Sequence, residues 1–138
     1  MSFIPKLTDF TGEWQVGRVI QDRLGHAEGR FEGRAFFRPV EIGLAYHEEG
    51  ELRLGPGPSM TAIRDYLWRT DGERIAVDHG DGKPFHAFDP AFPEAHHLCS
   101  PDDYRVHYDF CDWPDWRAVW VVMGPRKDYT MISRYSRA

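Results

Sequence analysis

Long apolar runs are missing from this chain. Nowhere do about 18 consecutive apolar residues occur, the length a membrane-spanning helix needs, and the opening Met1–Pro5 has no basic start followed by an apolar stretch. Export and membrane spanning both lack a signal. Cysteine is scarce, with only Cys99 and Cys111 in 138 residues. Both sit beside polar or charged neighbours, as expected of thiols in a reducing compartment, so the expected location is the cytoplasm. A field of one charge is missing too. Acidic and basic residues are interspersed and the formal net charge is only -5, which gives nucleic acid or an anionic membrane surface nothing to bind. Repeats and low-complexity tracts are absent, and 138 residues suit one domain over 1–138. No Gly-x-Ser-x-Gly elbow, phosphate-cradling glycine loop or dinucleotide fingerprint occurs, so the familiar catalytic signatures are excluded.

What the chain does have is aromatic residues in alternating segments. They make up 14% of it, including five tryptophans, and aromatics favour pleated, half-buried surfaces. Trp14, Val16, Arg18 and Ile20 alternate with Glu13, Gln15, Gly17 and Val19, and a turn follows around Leu24–Gly29. A second strand runs from Phe31 to Arg38, ended by Pro39. Leu44–Glu48 and Glu51–Leu54 are expected to form a hairpin across Glu49-Gly50. Thr61–Arg69, Arg74–Asp78 and Pro84–Phe88 follow, punctuated by the Asp71-Gly72 and Asp81-Gly82 turns. Ala95–Cys99, Tyr104–Phe110, Trp116–Met123 and Asp128–Tyr135 complete the series, and residues 1–11 are a lead-in, one helical turn or a plug across a barrel end. About nine or ten strands with short connections suit an all-β, single antiparallel up-and-down barrel closed on itself so that no edge stays open. A β-sandwich is the rival architecture.

The Gly12-Glu13-Trp14 start and the arginines of the last strand, Arg134 and Arg137, resemble the lipocalin and wider calycin superfamily. There, a Gly-x-Trp indole at the closed end lies against a basic side chain from the final strand. More closely, the chain resembles a bacterial lipocalin-like family of unknown function. The motifs are Phe-x-Gly-x-Trp (Phe10, Gly12, Trp14), Gly-Leu-x-Tyr (Gly43, Leu44, Tyr46), Tyr-x-Trp (Tyr66, Trp68), Asp-Gly-x-Pro-Phe-His (Asp81 to His86) and Gly-Pro-Arg-Lys-Asp-Tyr (Gly124 to Tyr129). The resemblance implies a container, and it makes Trp14 with Arg134 or Arg137 a cation–π closure of the barrel floor.

Several residues are candidates for the container's wall. Arg64, Tyr66 and Trp68 share one strand face, Arg18 shares the face of Trp14, and Tyr104 and Tyr108 lie on another; Trp120 belongs to the strand Trp116–Met123. Turned inward, these faces put guanidiniums among tyrosine hydroxyls, a setting for a carboxylate or phosphate. The competing reading pairs the arginines with acids such as Glu13 or Asp65, or lays them outside. His86, His96, His97 and His107, with Cys99, offer zinc or copper ligand types, but neighbours on a strand point to opposite faces and the spacing matches no zinc pattern, so no metal site is expected. Haem ligation by His86 or His97 is an alternative. The basic turn Gly124–Asp128 either steers an anion inward or is a solvated hairpin turn.

The expected function is binding of a small amphipathic anionic molecule by Arg18, Arg64, Tyr66, Trp68, His86, His97, Tyr104, Tyr108 and Trp120, with no catalytic residue and no cofactor identified. A lyase- or isomerase-type enzyme using a cavity histidine or tyrosine, with Asp102 nearby, is one alternative. A protein-binding or chaperone-like module with a filled barrel is the other.

Overall fold

The structure, a computed structural model, describes residues 3–138. Met1 and Ser2 of the lead-in lie outside the described residues. A short 3₁₀ helix, Leu7–Phe10, precedes ten antiparallel strands. These are β1 (Gly12–Asp22), β2 (Ala27–Val40), β3 (Gly43–Leu54), β4 (Met60–Asp71), β5 (Arg74–His79), β6 (Pro84–Phe88), β7 (Glu94–Cys99), β8 (Asp102–Asp109), β9 (Trp116–Gly124) and β10 (Lys127–Arg137).

Apart from β6 and β7, each strand pairs with its neighbour in sequence, and the first strand pairs with the last, giving one sheet in the order β6-β5-β4-β3-β2-β1-β10-β9-β8-β7. The result is a nearly closed, lipocalin-like barrel, and the sandwich is set aside. Complete closure does not occur. Between β6 and β7 no ladder forms among the described residues, so two strand edges meet there through side chains alone. The Asp-Gly turns form where expected, with Gly72 at φ 62° and Gly82 at φ 88°, a backbone region that costs glycine little.

The hairpin expected across Glu49-Gly50 does not exist: β3 runs unbroken through it. Gly50 instead sits opposite Gly33 of β2. A Cβ on Gly50 would stand 2.6 Å from the Gly33 Cα, so the glycine pair serves a close approach of two strands rather than a turn. β2 likewise continues past Pro39, which pairs with Leu44 at the end of the ladder, a position where a missing N–H is tolerated.

Alternation decides which residues fill the barrel. Trp14, Val16 and Arg18 of β1 point in, as do Ala35 and Phe37 of β2 and Val106 and Tyr108 of β8. At one end the interior is solid. Phe10, fully buried, packs 5.0–5.7 Å from the rings of Phe37, Trp68, Phe110, Trp113 and Trp116. The Trp14 indole donates to the Phe10 carbonyl at 2.8 Å, which ties the helical turn to β1. Arg137 lies 3.7 Å over the Trp14 ring and donates to the carbonyls of Thr11 and Asp9 at 2.9 and 2.8 Å. Arg134 takes no part in this floor. It is one residue out of phase with Tyr135 and Ser133, so its side chain is exposed on the outer face.

Candidate functional site

The other half of the barrel is hollow. A cavity of about 270 Å³ opens toward the end where β1 turns into β2 and β9 into β10. The inward alternation of β4 brings Arg64, Tyr66 and Trp68 to its wall, and β1 contributes Arg18. His86 of β6, His97 of β7, Tyr104 and Tyr108 of β8 and Trp120 of β9 line the same space. All the expected wall residues thus meet in one place, although they come from six strands.

Arg18 is not free to hold a ligand. Its Nη1 and Nη2 donate to the two carboxylate oxygens of Glu48 at 2.8 and 2.7 Å, and its Nε donates to the Ser133 hydroxyl at 2.6 Å. Glu48 is 1% exposed. Burial alone would raise its carboxyl, but the Arg18 donors and the Tyr46 hydroxyl outweigh that, so the carboxyl titrates below its usual range. Tyr46 also meets the Tyr135 hydroxyl at 2.9 Å. Burial pushes Tyr46 well above a normal phenol and Tyr135 up to about 12, so both hydroxyls stay protonated. The acids weighed from sequence as partners of the arginines, Glu13 and Asp65, are engaged on the outer face with Arg34 and His47.

Glu48 was missed because the false hairpin put it at a strand end beside a turn, where a charged residue is ordinary. With β3 continuous, Leu44, Tyr46 and Glu48 form one inward series, and a carboxylate prolonging an inward apolar alternation is the signal that marks it. Phe85, His79 and Tyr129 also line the cavity unforeseen.

Arg64 differs from Arg18. It stands directly across from Glu48 in the β3–β4 ladder, yet it forms no ion pair among the described residues, and its one hydrogen-bond contact is the Met131 sulfur at 4.0 Å. Its charge is felt by Glu48, Tyr135 and Tyr129. The cavity wall therefore carries two guanidiniums against one carboxylate, with no other carboxylate present.

Most of the rest of the wall is aromatic. Phe85 stacks on Trp120 at 5.1 Å with planes 6° apart and on His79 at 4.4 Å, reaching across the β6–β7 seam. His86 Nε2 meets the Tyr108 hydroxyl at 2.8 Å across the same seam. Burial, aided by His97 and His79, pushes His86 down to about 3, so its imidazole is neutral. At the rim Lys127 is bound to the Tyr104 hydroxyl at 2.8 Å and to Asp102 at 3.1 Å, which leaves Arg126 as the exposed base of that turn.

The histidines do not gather into a metal site. His96 and His107 point outward to Asp103 and Glu94, while His97 and Cys99 line the cavity; no group of three metal-binding side chains occurs among the described residues. A larger hollow of about 900 Å³ lies outside the barrel, walled by residues such as Gln15, Glu32, Arg34, Arg117 and Arg134.

The family assignment spans both the floor and the mouth. The chain belongs to DUF6314, a family of unknown function. The match spans residues 10–137. No curated protein matches the chain. Among solved structures, the S-type phycobiliprotein lyase CPES from Guillardia theta is similar in fold, with a TM-score of 0.65 over 96% of this chain and 90% of that one. Its sequence identity of 7% carries the fold and nothing of the chemistry. No helix among the described residues is long and apolar enough to cross a membrane.

Proposed function

We propose that this DUF6314 member binds a small amphipathic anion, with the apolar body among Tyr66, Phe85 and Trp120 and the charge on Arg64. The observation that carries this reading is the charge imbalance of the cavity. Arg18 is neutralised by Glu48, and Arg64 has no counter-ion. A partly buried guanidinium without an acid is a ready partner for a carboxylate, which it can hold through two parallel hydrogen bonds. The volume of about 270 Å³ lies at the small end of ligand pockets, roughly 300–1,000 Å³, and suits a compact ligand.

Binding is favoured over catalysis by the state of His86. A histidine pushed to about 3 is too weak a base to take a proton from a substrate near neutral pH. The open cavity speaks against a wholly filled barrel. Cys99 and Cys111 are both exposed and not joined in a disulfide, which suits a reducing cytoplasm.

Indane-5-carboxylate and its uncharged carboxamide test the reading, with tryptophan fluorescence as the signal. The carboxylate is expected to bind at least about tenfold more tightly, a difference worth one charge-assisted contact. Arg64→Met is expected to erase that preference. Equal binding of acid and amide to the unaltered protein would refute the proposal.

A further inference from the structure

Two buried side-chain nitrogens among the described residues have no hydrogen-bond partner: His86 Nδ1 and Trp116 Nε1. Both residues line the cavity, and their rings flank Tyr108, with centroids 6.0 and 6.4 Å from it. Trp116 is 3% exposed. An indole nitrogen only donates, so it calls for an acceptor.

The His86 proton can be placed. The Tyr108 hydroxyl has His86 Nε2 as its hydrogen-bond partner, and burial keeps the phenol protonated. Donation from Tyr108 to Nε2 puts the imidazole proton on Nδ1. The opposite arrangement strands both the phenol proton and the Nδ1 lone pair. This part of the wall is therefore a pair of N–H donors without an acceptor, an arrangement that native interiors rarely leave standing.

Neither nitrogen is open to water as the rings now lie. His86 is covered edge-on by Phe85 at 4.7 Å and Trp120 at 5.0 Å. Of the two, Phe85 has fewer backbone ties than Trp120, whose strand β9 is paired on both edges. Phe85 belongs to the five-residue strand β6, whose single ladder, to β5, slips register between Val77 and Asp78 and whose other edge faces the seam. Ring contacts, with no hydrogen bond, hold the Phe85 side chain over the cavity: Tyr66, His79 and Trp120 stack on it and His86, His97 and Tyr104 meet it edge-on.

We propose that the barrel contains a second subsite for a neutral oxygen of the ligand, a carbonyl or ether oxygen, which accepts from His86 Nδ1–H when Phe85 swings aside. This rests on the reading of Arg64 as the anion site and sharpens it: the ligand is a compact cyclic acid with a carboxylate at one end and a carbonyl or ether oxygen away from it. A charged group is ruled out at the inner end, because the donor is uncharged and a buried ion there would lose its hydration without a counter-charge.

The test compares 1-indanone-5-carboxylate with indane-5-carboxylate, which differ by one carbonyl oxygen, on the full chain. The keto acid is expected to bind about five- to tenfold more tightly. His86→Phe is expected to bring the two acids level, and Arg64→Met to weaken both while preserving their ratio. Because His86→Phe also removes a seam contact, ¹⁵N NMR of the unaltered protein supplies an independent readout. The His86 Nδ1 resonance should shift with the keto acid and stay in place with the hydrocarbon acid. Equal affinities together with Arg64-dependent binding overturn the second subsite alone. Failure of either acid to depend on Arg64 overturns the reading beneath it as well.

Discussion

The two halves of this barrel are built from the same strands with the same inward alternation, yet one is solid and the other hollow. At the floor, Phe10 enters from outside the sheet and brings Phe37, Trp68, Phe110 and Trp116 into ring contact around it. No comparable segment among the described residues enters the mouth, and inward positions there carry Arg18, Glu48, Arg64 and His86. Strand period fixes only which residues face in. Whether they meet depends on what else occupies the space, and polar groups that must keep hydrogen-bond geometry pack less fully than rings.

The comparison breaks most readily from the floor. Trp14→Ala removes a fully buried indole together with its bond to the Phe10 carbonyl, and should cost about 3–5 kcal/mol in urea unfolding. A cost under about 1 kcal/mol would mean that the floor does not hold the barrel together.

Glu48→Leu strands the Arg18 guanidinium in the interior and should cost a comparable amount, about 3–5 kcal/mol. The double variant Arg18→Met/Glu48→Leu should recover most of that loss, since the pair's burial penalty disappears with it. Persistent instability of the double variant would show that Ser133 and the tyrosines depend on the ion pair.

Acid should weaken the mouth through His86. Its folded value of about 3 lies below the unfolded value near 6.5, so the unfolded chain binds more protons between them. Stability present above pH 6.5 is therefore lost progressively as pH falls toward 3. Glu48, also lowered, adds a loss of the same sign once pH drops below the unfolded carboxylate range. The exposed His47, raised by Asp65 and Glu49, works in the opposite sense and loses its contribution as pH rises. In His86→Phe the slope of stability against pH between 6.5 and 5 should flatten; an unchanged slope would assign the acid sensitivity elsewhere.

Arg137→Ala should cost about 0.5–2 kcal/mol, the range of a cation–π contact at partial exposure. Arg134→Ala should be silent in the same thermal melt, because its side chain faces solvent. Equal effects would contradict the assignment of the floor cation to Arg137.

Much of this was legible in the chain itself. Alternation around Trp14, Tyr66 and Tyr108 marks inward faces, and the Asp-Gly dipeptides mark hairpins because their glycines adopt positive φ at little cost. Gly50 misled for a related reason: glycine serves turns and close strand contacts alike, and only the partner Gly33 tells them apart. The error hid Glu48 and with it the neutralisation of Arg18. The open seam was equally illegible, since β6 has an ordinary strand pattern and its unpaired edge depends on where β7 lies.

By itself the sequence determined most of the strand series, which residues share a strand face and the residue types available to the wall, because these follow from a two-residue period and local turn chemistry. The tertiary structure decided which arginine is paired and which is free, which end is solid, and where the barrel stays unlaced. Those outcomes rest on contacts between residues far apart in the chain, such as Arg18 with Glu48 and Ser133 and His86 with Tyr108, and no local pattern encodes a distance in space.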